Sequence, residues 1–214
     1  MNLCIVSPFA VANRYQIINF IKSCNADLII FPGFNVSNSL PIIEVQNALQ
    51  CHSKIFMEFP EKGLKAIKME VTPSIVSKND ILKMPKQIFA QNPSKRDIHE
   101  LLNIWDDRTL NIGNHKLTFI ICGEINGFNP DGRLKFGREH IHNIIVNRCH
   151  TIMGHWNYLG KKLINLSKNS LAIYLTNNNK NKQSISTDLR IYMNEQTIEK
   201  KVFDSNISRA SLNI

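Results

Sequence analysis

Short, almost unbroken apolar runs alternate along this chain with stretches that carry apolar residues at helical spacing. Asn2 to Val6 is a short apolar strand. Tyr15 to Ser23 sets Ile17, Ile18 and Ile21 on one helical stripe. Asp27 to Phe31 (Asp-Leu-Ile-Ile-Phe) reads as a second buried strand, stopped by Pro32-Gly33. Ser39-Leu40-Pro41 opens a helix that runs through Leu49, with proline near the first turn, and Lys54 to Phe59 is a third strand. From Leu64 to Asp80 the pattern changes to alternation (Ala66, Ile67, Met69, Val71) and predicts a hairpin. Ile81 to Pro93 reads as a loop, and Asp97 to Trp105 as a short helix or lid. Leu110 to Cys122 forms a pair of strands around the turn Gly113-Asn114. Ile141 to Val146 is a further buried strand, Trp156 to Leu166 a helix, and Leu171 to Leu175 a strand. Asn177 to Gln183 is a polar loop, and Leu189 to Met193 with Thr197 to Phe203 predict a closing hairpin.

Continuous apolar strands interleaved with helices predict an α/β fold in which helices cover sheets. No internal repeat and no long linker interrupts the pattern, so residues 1–214 read as one domain. Hydrophobic residues make up 43% of the chain, enough for a sizeable core.

Charge changes this picture little. The net charge of +9 permits an acidic or nucleic-acid partner, but the lysines and arginines are scattered, with no run longer than two. Abundant Lys, Asn and Ile are also what an AT-rich coding sequence produces. Met1 to Phe9 lacks the charged and long apolar segments of a signal peptide. No apolar run approaches the roughly 18 residues of a spanning helix, so no membrane association is expected. Five cysteines without a CxxC pair fit reduced thiols, and with them a cytoplasmic location.

The candidate chemistry concentrates in Leu117-Thr118-Phe119-Ile120-Ile121-Cys122-Gly123-Glu124-Ile125-Asn126. A buried strand runs into a cysteine and then a glycine, delivering a thiol to a sharp turn at a strand's C-terminal end. That is where α/β proteins place their chemistry. A thiol with an ordinary pKa of about 8.5 needs a base or a nearby cation to become a thiolate. The competing reading is a small buried thiol, because cysteine is among the most buried residue types.

Four stretches, in this order, resemble the nitrilase, or carbon–nitrogen hydrolase, superfamily. Ala26-Asp27-Leu28-Ile29-Ile30-Phe31-Pro32 is similar to its first signature strand, and Lys86-Gln87-Ile88-Phe89 to its lysine segment. Ile120-Ile121-Cys122-Gly123-Glu124 is similar to its nucleophile elbow, and Ile145-Val146-Asn147-Arg148-Cys149-His150-Thr151 to the strand and loop that follow. The resemblance runs from Asn2 to about Tyr174 and fades from about residue 177, where the chain is shortened or divergent. It implies a four-layer α-β-β-α sandwich with mixed sheets, a homodimer, and no cofactor or metal. It also implies a Glu-Lys-Cys triad, in which cysteine attacks a carbonyl or nitrile carbon, glutamate is the general base and lysine stabilises the tetrahedral intermediate. Cys122 and Lys86 match the cysteine and lysine, with Lys83 a rival for the latter. The glutamate position, after Phe-Pro, is Gly33. Glu58 and Glu124 are the possible substitute bases, and Gly33, Asn126, His150 and Trp156 the expected pocket residues.

Other chemistries are less well supported. His140, His142, His150 and His155 with Cys149 invite a metal site, but HExxH and close Cys/His pairing are missing. No GxGxxG, GxxxxGK[ST] or GxSxG motif occurs. Two expectations follow. The first is an amidase that acts on a small amide or nitrile through a cysteine acyl-enzyme. The second is a catalytically inactive relative that binds a ligand or an acidic or nucleic-acid partner.

Overall fold

The computed structural model describes residues 1–8, 12–33, 40–60, 71–136, 144–149, 156–176, 189–198, 202–204 and 207–214. They form two compact units interleaved along the chain. The first comprises 1–84, 177–187 and 200–214, and the second 85–176 and 188–199.

The first unit is built on a seven-stranded sheet. Its strands are β1 (Asn2–Pro8), β2 (Leu28–Ile30), β3 (Lys54–Pro60), β4 (Val71–Val76), β5 (Ile81–Lys83), β12 (Val202–Asp204) and β13 (Ile207–Asn213), in the order β12-β13-β1-β2-β3-β4-β5. β1, β2 and β3 are parallel, while β4, β5, β12 and β13 run antiparallel to their neighbours. The mixed sheet follows from the sequence. The parallel strands are mostly apolar and are joined through α1 (Arg14–Ser23) and α2 (Ile42–Ala48), the crossover that parallel pairing requires. α1 begins at a capping box, in which Asn13 and Gln16 satisfy each other's backbone N–H groups. Its Ile17, Phe20 and Ile21 pack with Ile29, Phe31 and Val45 in one core.

The second unit holds a six-stranded sheet. Its strands are β6 (Thr109–Ile112), β7 (His115–Ile121), β8 (Ile144–Cys149), β9 (Leu171–Thr176), β10 (Leu189–Met193) and β11 (Gln196–Thr197), in the order β11-β10-β9-β8-β7-β6. β7, β8 and β9 are parallel. β6 and β7 form the expected hairpin, and Gly113 takes the left-handed conformation (φ +55°) that its turn needs. α3 (Lys95–Asn103) starts at a second capping box, Ser94 with Asp97, and α4 (Trp156–Leu166) links β8 to β9. Ile98 and Leu101 of α3 and Leu159, Leu163 and Leu166 of α4 pack with Ile120, Ile145, Ala172 and Tyr174.

Two expectations are corrected, and part of a third lies outside the described residues. Of the expected hairpin Leu64–Asp80, residues 64–70 lie outside the described set; Val71–Val76 forms β4, which pairs with β3 and with β5. The predicted loop Ile81–Pro93 opens with a strand, β5 (Ile-Leu-Lys), whose three exposed residues sit at a sheet edge; its two adjacent apolar residues are too short a run to mark a strand. The closing hairpin is also redrawn. Leu189–Met193 does turn back, but onto only Gln196–Thr197, while Val202–Asp204 joins β13 in the other sheet. β13 was not expected. Its sequence, Ile-Ser-Arg-Ala-Ser-Leu-Asn, has few large apolar residues, yet it pairs with β1 along that strand's whole length. The polar stretch 177–183 lies outside the described residues.

Candidate active site

The elbow begins where β7 ends. Cys122 opens a 3-10 turn, Cys122–Gly127, and sits at φ +46°. A side chain with a β-carbon rarely takes that conformation, and holding it there costs on the order of 1–3 kcal/mol. Such strain persists only where surrounding contacts impose it. Cys122 is half-buried, whereas Gly123, Glu124 and Ile125 behind it are buried.

The lysine segment packs against this turn. A β-carbon on Gly123 would lie 1.7 Å from the Ala90 carbonyl oxygen, so the 86–90 segment runs directly against the turn. Asn126 donates from Nδ2 to the same carbonyl at 3.3 Å. Glu124 ties the two segments further. Its Oε1 accepts from the Ile88 N–H at 2.7 Å, and its Oε2 from the Ile121 N–H at 2.8 Å. Arg108, carried by the turn that leads into β6, donates to both carboxylate oxygens, at 3.0 Å from Nη1 and 3.4 Å from Nη2. Its Nη2 also donates to the Lys86 carbonyl oxygen. Arg108 and Glu124 are both almost fully buried. Burial pulls the Arg108 pKa down, and the neighbouring Glu124 charge opposes that shift.

Each Glu124 oxygen therefore receives two donors, which fills the carboxylate's acceptor sites. As arranged, this group fixes backbone; it holds no open lone pair for a thiol proton. Lys86 is exposed on the segment so fixed, whereas Lys83 ends β5 in the first unit. Gly33 and Glu58 are both buried within the first unit, Glu58 on β3. Among the described site residues, the second unit thus gathers Cys122, the Lys86 segment, Glu124 and Asn126 around one turn.

β8 is also bonded to the turn. Asn147 donates from Nδ2 to the Cys122 carbonyl at 3.3 Å, and its Oδ1 accepts from the Cys149 thiol at 2.8 Å. Trp156, at the start of α4, stacks edge-on against Tyr174 at 5.0 Å between ring centroids, and Arg190 lies 3.3 Å over its ring. His140, His142, His150 and His155 lie outside the described residues. Among the described residues no group of His, Cys, Asp and Glu could hold a metal ion. None of the helices described is long and apolar enough to cross a membrane.

Sequence reasoning missed Arg108, Asn147 and Cys149 as parts of this arrangement. Asn147 and Cys149 stood in a quoted motif, and their alternate spacing on β8 already put them on one face. Arg108, in Asp-Asp-Arg after α3, carried no such signal.

No protein-family profile and no curated protein sequence matches the chain. Solved structures do match it. The NitN amidase from Neterenkonia sp. AN1 superposes with a TM-score of 0.61 at 10% identity, over 100% of this chain and 93% of that one. A mutant of the amidase from Nesterenkonia sp. AN1, with the acetamide moiety of fluoroacetamide added covalently at its active site cysteine, gives 0.62 at 10% identity, over 99% and 90%. A glutamine-dependent NAD(+) synthetase from Cytophaga hutchinsonii gives 0.59 at 11% identity, over 99% of this chain and 42% of that one. The chain thus spans less than half the length of the synthetase and nearly all of the amidases. Another matched structure is described as a Nesterenkonia AN1 amidase from the nitrilase superfamily. At these identities the likeness concerns the fold, and the fold of this chain is that of the nitrilase-like carbon–nitrogen hydrolases.

Proposed function

We propose that Cys122 is the nucleophile of a carbon–nitrogen hydrolase-type site that acts on a small amide through an acyl-enzyme. The observation that carries this reading is the strained elbow. A half-buried cysteine is held at φ +46° by a turn to which the lysine segment is bound through Arg108 and Glu124. A residue serving only as packing gives no reason for that conformation, which glycine would adopt freely. The covalent adduct at the active site cysteine of the fluoroacetamide-treated amidase supports the same assignment by analogy of fold.

The Cys122 sulfur attacks the carbonyl carbon, forming the C–S bond as the carbonyl π electrons move onto oxygen. The Lys86 ammonium, in this reading, stabilises the resulting oxyanion. Collapse breaks the C–N bond, and the amine leaves with the proton that the thiol gave up. Water then attacks the thioester, releases the acid and restores the thiol. Glu124 acts by positioning the Lys86–Ala90 segment against the turn and is not the proton acceptor.

Gly33 favours a second reading, because the position that the family resemblance gives to the general base has no side chain. Loss of a general base lowers rate by about 10²–10⁴-fold. On this reading the scaffold binds a ligand without turning it over. Intact-mass measurement after incubation with small primary amides separates the two readings. A covalent acyl adduct on Cys122, with acid released and both absent in Cys122→Ala, supports the hydrolase. Turnover that appears only in Gly33→Glu supports the inactive relative.

A further inference from the structure

A second thiol, which acyl transfer does not use, stands beside the elbow. β7 and β8 are parallel neighbours, and Ile121 lies opposite Arg148. The register ends there; the next residue on one side is Cys122, which opens the turn, and on the other Cys149, which ends β8. Asn147 holds both positions at once, through the Cys122 carbonyl and the Cys149 thiol. Cys122 packs on the apolar cluster that contains Cys149, and the two side chains are hydrogen-bonding neighbours.

The two thiols differ in access. Cys149 is fully buried and Cys122 is not. Burial, with the Cys122 sulfur adding to it, also holds the Cys149 pKa well above the ordinary thiol range. An oxidant from solvent therefore meets Cys122 first, while Cys149 waits protonated within reach.

We propose that Cys122 and Cys149 form a reversible oxidation site, which a hydroperoxide converts to an intramolecular disulfide. The Cys122 sulfur attacks the peroxide, forming an S–O bond as the O–O bond breaks. Cysteine is oxidised to the sulfenic acid, and the peroxide is reduced to an alcohol or water. The Cys149 sulfur then attacks the sulfenic sulfur. The S–S bond forms, the S–O bond breaks, and the hydroxyl leaves as water with the Cys149 proton. A dithiol reductant restores both thiols. The disulfide diverts Cys122 from irreversible conversion to the sulfinic acid, and its formation requires no amide substrate.

The test is peptide mapping without reductant after limited hydrogen peroxide treatment of the full chain. A Cys122–Cys149 cross-link is expected, with the number of titratable thiols in the denatured protein falling from five to three and returning to five with dithiothreitol. Cys149→Ser, and independently Cys149→Ala, should instead accumulate a Cys122 sulfinic acid that dithiothreitol does not reverse. The buried neighbours Cys4 and Cys24 provide the internal comparison. Wild-type protein that gives Cys122 sulfinic acid without a cross-link, or that links Cys4 to Cys24 first, overturns the proposal.

Discussion

Arg108 and Glu124 form a bidentate ion pair, at 3.0 and 3.4 Å, with both side chains sealed from solvent. Its geometry does more than neutralise charge. The carboxylate also accepts from the Ile88 and Ile121 N–H groups, and the guanidinium also donates to the Lys86 carbonyl. One pair thereby joins the strand that leads into Cys122 to the segment that carries Lys86. Removing either member leaves the other's charge buried and unpaired, at a cost of about 3–5 kcal/mol. Glu124→Ala and Arg108→Met should each lose that much in urea unfolding. The double variant Arg108→Met/Glu124→Leu should lose clearly less than the sum, because neither charge is then stranded. Equal additivity would show that the pair is not coupled.

Two glycines of the second unit should respond oppositely to alanine. At Gly123 a β-carbon meets the Ala90 carbonyl oxygen at 1.7 Å, a backbone atom that cannot step aside alone. Gly123→Ala should lower stability by about 1–3 kcal/mol or more and displace the lysine segment. Gly160 lies within α4 with nothing within 4 Å of its would-be β-carbon, and Gly160→Ala should gain about 0.5–1 kcal/mol. Thermal unfolding of the two variants side by side checks both signs.

The strain at Cys122 has its own signature. Alanine keeps the β-carbon at φ +46°, whereas glycine removes it. Cys122→Gly should therefore be more stable than Cys122→Ala by about 1 kcal/mol, the reverse of the usual order in folded segments. Chemical denaturation of both variants reads the difference directly.

Lys162 supplies a pH dependence. It is buried on α4, donates from Nζ to the Ile125 carbonyl at 3.2 Å, and lies 4.5 Å over the Tyr158 ring. Burial, with Lys135 adding to it, lowers its pKa from 10.5 to about 8. Between those values the unfolded chain binds more protons than the folded one, so this residue makes stability rise with pH. The rise begins near pH 8 and is complete near 10.5. Lys162→Met should lack this rise, and the variant's stability relative to the parent should fall across that window. Denaturation midpoints for both proteins at pH 7.5, 9 and 10.5 (about one sample either side of and within the transition) measure it.

How far the sequence reveals the molecule depends on the signal each part carries. The parallel strands were legible because burial on both faces makes them continuous apolar runs, as in Leu28–Ile30 and Leu171–Leu175. α4 was legible to the residue from its apolar spacing. β5 and β13 were not. A three-residue exposed edge strand and a strand with few large apolar residues are held mainly by backbone pairing, and their side-chain patterns are too short or too sparse to report it. The same division runs through the site. The strand-then-Cys-Gly pattern marked Cys122, since only a turn follows such a run. The role of Glu124 was hidden, because a carboxylate two residues from a thiol looks the same whether it is open or saturated. Its four donors come from Ile88, Ile121 and Arg108, positions brought together only by folding.

The central claim, that Cys122 is an activated thiol, is tested most directly by the rate at which iodoacetamide alkylates it compared with Cys51, followed by peptide mapping of the native protein. Cys51 is exposed and Cys122 is half-buried, so access alone favours Cys51. Faster alkylation of Cys122 is the predicted result, with the advantage reduced in Lys86→Met. Slower alkylation of Cys122 than of Cys51 would contradict the account.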